Sequence, residues 1–260
     1  MAETEPTLSI VIPVYNEEAA LRSTLEEVAR YLTGRRVAHE VLLIDDGSRD
    51  QTVSIARQLE REFPVRLFQS PHLGKGAAVK RGMLEAHGRY RLFMDADHST
   101  HIREWDTCAP WLQEGFEVVI GSRKMAGANV MVRQPPVREA MGKVFTRLTN
   151  AMLSMNVSDI TCGFKTFHAE AAQRIFSLQR MDGWGFDAEI LFIAKRLGYR
   201  IKEVPVVWAD DASTKVHLFK DAARSFTELI DIRLGALRGA YPTAPRQDLA
   251  APEQVEASSR

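Results

Sequence analysis

Three short polar segments contain the residue types that hold sugars, nucleotides and divalent cations. Asp95 and Asp97 flank a small residue, Ala96. Two carboxylates at positions i and i+2 can divide the work, one binding a ribose or sugar hydroxyl and the other a hard cation such as Mg²⁺. A bare Asp-x-Asp also occurs in solvated turns, so its placement in the fold decides between these interpretations. The other two segments are Tyr15-Asn16-Glu17 and Asp45-Asp46.

Each polar segment directly follows a short apolar run. The runs Leu8–Val14, 41–44 and Tyr90–Met94 are typical of strands buried on both faces. A further strand is predicted at 65–68, and helical patterns separate these runs, which predicts an α/β fold with a mostly parallel sheet covered by helices. Ligands bind beyond the carboxyl ends of the strands in such sheets. We therefore expect the three segments to converge at one edge.

A glycine-rich segment, Gly74-Lys75-Gly76, stands at the start of a helix predicted over 74–87. Backbone N–H groups and a lysine at such a position can bind phosphate. The segment lacks the spacing of a P-loop. No G-x-G-x-x-G follows the first strand, which argues against a dinucleotide-dependent oxidoreductase.

The second half of the chain has a different character. The patterns there predict a strand at 116–120, a small-residue loop at 121–132, a helix at 136–155, a compact segment at 159–168, helices from 169 and over 186–197, a strand at 200–208 and an amphipathic helix over 219–237.

Between residues 123 and 147 the chain is basic, with six basic residues and a single acidic one, Glu139. The basic residues are Arg123, Lys124, Arg133, Arg138, Lys143 and Arg147. Such a run is either a solvated face or a surface for an anionic substrate or membrane.

Composition narrows the function classes. The chain has 260 residues, and 34 Lys and Arg balance 34 Asp and Glu, which argues against a protein that coats nucleic acid. Two cysteines far apart, Cys108 and Cys162, predict buried, reduced thiols. The acidic N-terminus does not resemble a signal peptide, and no run approaches the roughly 20 apolar residues of a membrane span. We expect a cytoplasmic protein, at most peripheral on the cytoplasmic face of a membrane.

The domain organisation predicted from these patterns has three parts. Residues 1–215 form a catalytic domain that includes the helix at 136–155. Residues 216–240 form a C-terminal amphipathic helix. Residues 241–260 form a disordered tail, because they carry three prolines and little apolar content.

A set of motifs in one order resembles a known family. They are IVIPVYNEE, IDDGSRDQT, GKGAAVKRG, FMDADHST, VIGSR, DITCGFKTF, GWGFDAEIL and EVPVVW followed by STKV. Together they resemble family-2 glycosyltransferases of the GT-A fold, above all the polyprenyl-phosphate hexose synthases, which use dolichyl-type phosphates and glucose or mannose donors. The resemblance covers residues 8–238, so it is more specific than any single motif.

The resemblance implies roles for individual residues. The nucleotide-sugar site would comprise Pro13, Tyr15, Glu17, Asp45, Asp46, Lys75, Asp95, Ala96, Asp97, Arg123 and Lys215. Asp95 and Asp97 would hold Mg²⁺ or Mn²⁺ at the diphosphate, and Arg123 and Lys215 would neutralise phosphate charge. On the acceptor side, Arg133 and Arg138 would bind the acceptor phosphate. Asp187 and Glu189 would also lie there, and Asp187 is either a base or orienting group or a helix N-cap.

Two departures from the mannose synthases favour the glucose branch. Ser99 occupies a position that is often a metal-binding glutamine in mannose enzymes, and no arginine follows Trp208. His98 replaces an apolar residue, and as a single histidine we expect it to be a surface or packing residue.

The resulting hypothesis is an inverting, metal-dependent transfer of a hexose from UDP-glucose or GDP-mannose to a polyprenyl phosphate. One alternative keeps the donor but uses a soluble or another lipid acceptor. Another is a non-catalytic nucleotide-sugar-binding or membrane-adapter protein. A nucleotidyltransferase is disfavoured, because Tyr15-Asn16-Glu17 occupies the place of its glycine-rich loop.

Overall fold

The computed structural model describes residues 6–35, 37–210 and 218–243. Its strands are β1 (Leu8–Val14), β2 (His39–Asp45), β3 (Val65–Gln69), β4 (Tyr90–Met94), β5 (Val118–Ser122), β6 (Asn129–Val132), β7 (Phe164–His168), β8 (Ile201–Pro205) and β9 (Val207–Ala209). Its helices are α1 (Leu21–Thr33), α2 (Thr52–Glu62), α3 (Lys75–Glu85), α4 (Trp105–Gln113), α5 (Pro136–Leu153), α6 (Ala169–Leu178), α7 (Phe186–Arg196) and α8 (Leu218–Leu237). One 3₁₀ turn, Ile102–Glu104, precedes α4.

The main sheet of the described residues has seven strands in the order β3-β2-β1-β4-β7-β5-β8. The four strands from β3 to β4 are parallel, and β8 is parallel to β5. The predicted α/β fold with a mostly parallel sheet is confirmed. Strand β1 lies between β2 and β4, so the carboxyl ends of these three strands are neighbours, as the sequence predicts.

Helices cover both faces of this sheet, which is why its central strands are apolar throughout. Side chains alternate between faces along a strand. Val11 points into a core formed with α3, α6 and α7, whereas Ile10 and Ile12 point into a second core formed with α1, α2 and α4. Cys108 and Cys162 are free and buried, as predicted.

Strand β7 is the main element that the sequence did not predict. Residues 159–168 form a compact segment in the prediction, but Phe164–His168 is a strand inserted between β4 and β5 and antiparallel to both. The residue pattern does not indicate a buried strand here, because a lysine and a threonine interrupt its apolar residues. Lys165 and Thr166 are nevertheless completely buried.

The predicted strand at 200–208 is divided into two. Pro205 ends β8, since proline has no backbone N–H to continue a ladder. The chain then enters β9, which pairs with β6 in a separate two-stranded sheet. Residues 129–132, predicted as loop, form β6, so this pair depends on a contact between distant segments.

The C-terminal region is only partly described. Helix α8 matches the predicted amphipathic helix, and no helix among the described residues is long and apolar enough to cross a membrane. Tyr241, the first residue of the predicted tail, is buried and packs edge-on against Phe192. Residues 244–260 and Lys215 lie outside the described residues.

The contact between α3 and the sheet requires a glycine, and we expect Gly82→Ala to destabilise the fold. A Cβ at Gly82 would lie 2.3 Å from Val11 Cγ1 and 2.8 Å from Ile44 Cγ1. Overpacking of this kind costs about 2 kcal/mol of unfolding free energy, which urea titration would measure.

Gly142→Ala is the matched control. A Cβ there meets nothing within 4 Å, and alanine favours a helix interior over glycine by about 1 kcal/mol. Equal stability of the Gly82→Ala protein and the wild type would contradict the packing described above.

Candidate active site

A cleft of about 1000 Å³ opens at the carboxyl ends of β1 and β4. The structure brings together most of the residues that the sequence predicted for the site. Those lining the cleft are Pro13, Tyr15, Glu17, Asp46, Lys75, Asp95, Ala96, Asp97, Arg123, Arg133, Arg138 and Asp187. Asp45 and Glu189 do not line it.

The two aspartates after β2 have different surroundings. Asp45 is buried and accepts hydrogen bonds from the backbone N–H groups of Gly47 and Ser48, each at 3.2 Å, so it closes the turn after β2. Asp46 accepts from the N–H groups of Leu73 (2.8 Å) and Gly74 (3.0 Å). Asp46 thus fixes the loop that leads into α3.

An aromatic pair lies beside Asp46. The Tyr15 ring stacks on His72 with 4.1 Å between ring centroids, and His72 Nδ1 lies 2.8 Å from Asp46 Oδ2. Flat, stacked rings at a polar cleft edge suit a nucleotide base. Sequence reasoning missed His72, because the residue lies in a loop with no pattern and reaches Tyr15 only through the fold.

Asp95 and Asp97 are both in a partly desolvated cleft, where their negative charges repel each other. Burial and the negative charge of Asp95 raise the pKa of Asp97. Lys75 Nζ lies 2.6 Å from Asp95 Oδ1. Burial by itself lowers the pKa of Lys75, but Asp95 and Asp187 outweigh it and the pKa is raised. The carboxylates of Asp95 and Asp187 therefore keep Lys75 charged and hold it in the cleft.

Gly163 makes room for Asp95. A Cβ at position 163 would lie 1.9 Å from Asp95 Oδ2, and the Gly163 carbonyl accepts the Asp95 backbone N–H at 3.1 Å. The unpredicted strand β7 begins at the next residue. The tight approach of this loop explains why a glycine stands in the DITCGFKTF segment.

A lysine of the buried strand β7 compensates the charge of Asp187. Lys165 Nζ donates to Asp187 Oδ1 at 2.5 Å and to the Cys162 carbonyl at 2.7 Å. Burial raises the pKa of Asp187, although Lys165 and Lys75 act in the opposite direction. Asp187 therefore has an ion pair, and the N-cap of α7 is Gly185, so the structure does not give Asp187 the N-cap role that was one of its two predicted alternatives. Sequence reasoning missed Lys165 because a lysine within an apolar segment gives no sign of its partner.

Arg123 is locked by a second buried carboxylate. Its Nε and one terminal nitrogen donate to the two Asp159 oxygens, each at 2.7 Å, and its Cζ lies 5.1 Å from the centroid of the Trp208 ring. Burial raises the pKa of Asp159, but Arg123 and Lys124 outweigh it and lower the pKa to about 2. The pair holds one cation rigidly at the cleft wall.

One wall of the cleft is basic. Four basic residues line it: Lys124, which follows β5, Arg133, which follows β6, and Arg138 and Lys143 of α5. Three of them have acidic partners nearby, since Arg138 lies 3.7 Å from Asp210, Lys143 lies 2.6 Å from Glu139 and Lys124 lies 3.8 Å from Asp159. The cleft thus has carboxylates at the strand ends and cations on the α5 side.

Helix α8 supports the loop that carries Trp184. Glu228 Oε2 accepts the Gly185 N–H at 2.6 Å, and a Cβ at Gly183 would lie 2.4 Å from Glu228 Oε1. Trp184 then faces the cleft with its ring centroid 5.6 Å from Lys75 Nζ.

Glu189 has a different role from the one that the resemblance implies. It is fully buried and accepts hydrogen bonds from the Met181 N–H (2.8 Å) and the Tyr241 hydroxyl (2.6 Å). Glu189 therefore anchors the start of the Trp184 loop and the residue that follows α8, rather than facing the acceptor side of the cleft.

The acidic edge has the chemistry of a hard divalent cation site. Asp95 and Asp97 supply carboxylate oxygens, which Mg²⁺ and Mn²⁺ prefer, and both residues line the cleft. These two residues would hold the ion.

The fold and the cleft agree with the resemblance seen in the sequence, and the comparison with known families identifies the class of enzyme. Residues 9–176 match the family described as Glycosyl transferase family 2. The chain belongs to this family and is a glycosyltransferase.

Particular relatives are more informative than the family. The chain is 32% identical to a dolichyl-phosphate beta-glucosyltransferase of Drosophila melanogaster, over 92% of this chain and 78% of the relative. It is 30% identical to the dolichyl-phosphate beta-glucosyltransferase of Saccharomyces cerevisiae, again over 92% of this chain and 78% of the relative. The resemblance to polyprenyl-phosphate hexose synthases is confirmed.

A solved structure shows the same fold. Glucosyl-3-phosphoglycerate synthase from Mycobacterium tuberculosis, in complex with Mn²⁺, UDP-glucose and phosphoglyceric acid, superposes with a TM-score of 0.68. The two chains are 21% identical, and the match covers 88% of this chain and 80% of the other. This similarity confirms the GT-A fold.

The Arg123–Asp159 pair leads to a pH-dependent prediction for Asp159→Asn. The pKa of Asp159 falls from 3.8 to about 2 on folding. Its stabilisation is therefore complete above about pH 4 and is lost as the pH falls toward 2, by about 2 kcal/mol. Urea unfolding at pH 6, 4 and 3 should show the variant's deficit in unfolding free energy shrinking below pH 4.

Asp106→Asn is the control, since Asp106 forms an exposed pair with Arg35. Exposed pairs contribute roughly 0–1 kcal/mol. A deficit for Asp159→Asn that stays constant from pH 6 to pH 3 would contradict the ionised, buried pair.

Proposed function

We propose that this protein transfers glucose, with inversion, from UDP-glucose to a polyprenyl phosphate of the dolichyl type, with Mg²⁺ or Mn²⁺ at the donor. The single observation that carries the proposal is the division of one cleft into an acidic edge and a basic wall. The names of the relatives support the glucosyl donor and the dolichyl phosphate acceptor. The mycobacterial synthase, whose complex contains Mn²⁺ and UDP-glucose, supports the donor and the metal.

The donor half of the proposal rests on charge compensation. Negative charge develops on the nucleotide diphosphate as the glycosidic bond breaks, and a bound dication would neutralise part of it. Lys75 and Arg123 are held at the cleft by Asp95 and Asp159. Because both cations are fixed before substrate arrives, they need little reorganisation during the reaction.

The acceptor half rests on the basic wall. A phosphate monoester is already largely ionised near pH 7, so its oxygen can attack the anomeric carbon without a strong base. Arg133 and Arg138 would position that phosphate for in-line attack. Asp187, paired with Lys165, lies at the same cleft and would orient the acceptor rather than remove a proton.

An exposed apolar face beside the basic wall supports a lipid acceptor. Helices α5 and α8 pack against each other. Large apolar side chains are exposed on α5, α8 and β6: Met131, Val132, Val137, Val144, Leu148, Phe226, Ile230, Leu234 and Leu237. Large exposed apolar side chains in this number favour contact with another apolar surface. Lys143 and Arg147 of α5 are also exposed, so the face suits an anionic bilayer surface. The protein would then bind to the cytoplasmic face of a membrane.

A donor panel tests the reaction. Purified protein would be incubated with polyprenyl phosphate in detergent, Mn²⁺ or Mg²⁺, and UDP-glucose, UDP-galactose, UDP-N-acetylglucosamine or GDP-mannose, and products would be read by mass spectrometry. We expect polyprenyl-phosphate glucose to form when UDP-glucose is the donor. Asp97→Asn should lower the rate on the order of 100-fold, because it removes charge from the metal–diphosphate site.

Asp106→Asn is the matched control for this variant, because Asp106 lies on α4 and is paired with Arg35 outside the cleft. Full metal-dependent turnover by Asp97→Asn would refute the site. Transfer to a soluble phosphorylated acceptor but not to polyprenyl phosphate would refute the lipid acceptor, and donor binding without any transfer would indicate a binding protein.

Vesicle sedimentation tests the membrane face. The wild-type protein should co-sediment with vesicles of phosphatidylcholine and phosphatidylglycerol. The double variant Ile230→Ser, Leu234→Ser should bind at least about tenfold more weakly, because two exposed apolar side chains of α8 no longer enter the interface.

Leu73→Ser is the matched control, since Leu73 is a large exposed apolar residue in the loop before α3. Unchanged sedimentation of the double variant, or equal losses in both proteins, would show that the α5–α8 face does not contact the bilayer.

A further inference from the structure

A cluster of two histidines and a glutamate lies beside the acidic motif. Glu27 is on α1, and His98 and His101 are in the segment that follows β4. His101 Nδ1 lies 2.6 Å from Glu27 Oε1, and His98 Nδ1 lies 3.0 Å from Glu27 Oε2. Both imidazoles thus direct the same ring nitrogen toward one carboxylate. One ligand atom from each residue lies within 4.8 Å of the others.

The second ring nitrogen of His98 also has hydrogen-bond partners. Its Nε2 lies 2.8 Å from Ser23 Oγ and 3.1 Å from Thr24 Oγ1. A histidine that binds a metal through one nitrogen typically has its other nitrogen fixed by a hydrogen bond, which sets the ring's orientation. The Thr24 hydroxyl donates in turn to the Ala96 carbonyl at 2.7 Å, so the cluster is connected to the Asp95–Asp97 loop.

The donor atoms distinguish this cluster from the site at Asp95 and Asp97. None of Glu27, His98 and His101 lines the cleft. Two imidazole nitrogens and one carboxylate suit a borderline cation such as Zn²⁺, whereas Mg²⁺ prefers oxygen ligands alone. Three protein ligands of this kind, with water in the fourth position, form a common tetrahedral zinc site.

We propose that Glu27, His98 and His101 bind one Zn²⁺ ion that ties the segment after β4 to α1. Zinc bonds to nitrogen and oxygen are about 2.0–2.2 Å long, so ligand atoms around a tetrahedral ion are somewhat farther apart than hydrogen-bonded atoms. All three side chains are partly exposed and can make that small adjustment. The ion would brace the loop that carries Asp97 without entering the cleft.

Zinc titration of the untagged full chain, stripped with EDTA and free of nucleotide, tests the proposal by isothermal calorimetry. We expect one Zn²⁺ per chain and a rise in melting temperature, because the ion binds only the folded arrangement. His101→Ala and Glu27→Gln should each weaken binding at least about tenfold. Co²⁺ in place of Zn²⁺ should give the visible absorption of a four-coordinate site in the wild type but not in His101→Ala.

Two controls separate this site from other sources of binding. Asp97→Asn should keep the zinc site, since it alters only the acidic motif. His87→Ala should keep it as well, because His87 is another exposed histidine beside a glutamate, Glu40, at 3.6 Å. Absence of Zn²⁺ binding by the wild type, equal binding by His101→Ala, or loss of binding in Asp97→Asn would each overturn the proposal. None of these outcomes depends on the glucosyltransferase reaction.

Discussion

The mutual repulsion of carboxylates at one edge of the sheet is the constraint on which the site depends. Asp95, Asp97 and Asp187 lie in a partly desolvated cleft, where unpaired negative charges are costly. The fold compensates two of them directly, since Lys75 pairs with Asp95 and Lys165 pairs with Asp187. What remains is an acidic edge able to bind a dication, with its cations already fixed in place.

Glycines allow loops to approach closely at two places around the cleft. Gly163 allows its loop to reach Asp95, and glycines beside Trp184 allow Glu228 of α8 to reach the loop after α6. Through Glu228, the helix with the exposed apolar face is connected to Trp184 and, across it, to Lys75. The proposed membrane face and the proposed sugar-donor site are therefore parts of one packed unit.

Much of the donor half could be predicted from local sequence. Apolar runs ending at Val14, Ile44 and Met94 form strands whose ends meet, because parallel strands with right-handed crossovers leave their carboxyl ends at one edge. The acceptor half was less predictable. Strand β7 has polar residues at its centre, and β6 is a four-residue segment that becomes a strand only by pairing with the distant β9.

The sequence by itself determined the fold class, the family and the acidic segments, because these depend on short-range patterns and motif order. Only the tertiary structure decided which partner each charge has. It directed Asp45 into a turn, paired Asp159 with Arg123, placed Lys165 beside Asp187, and brought Glu27 of α1 to His98 and His101. Ion pairs and ligand clusters join residues that are distant along the chain, and the packing of helices on the sheet sets the distances between them.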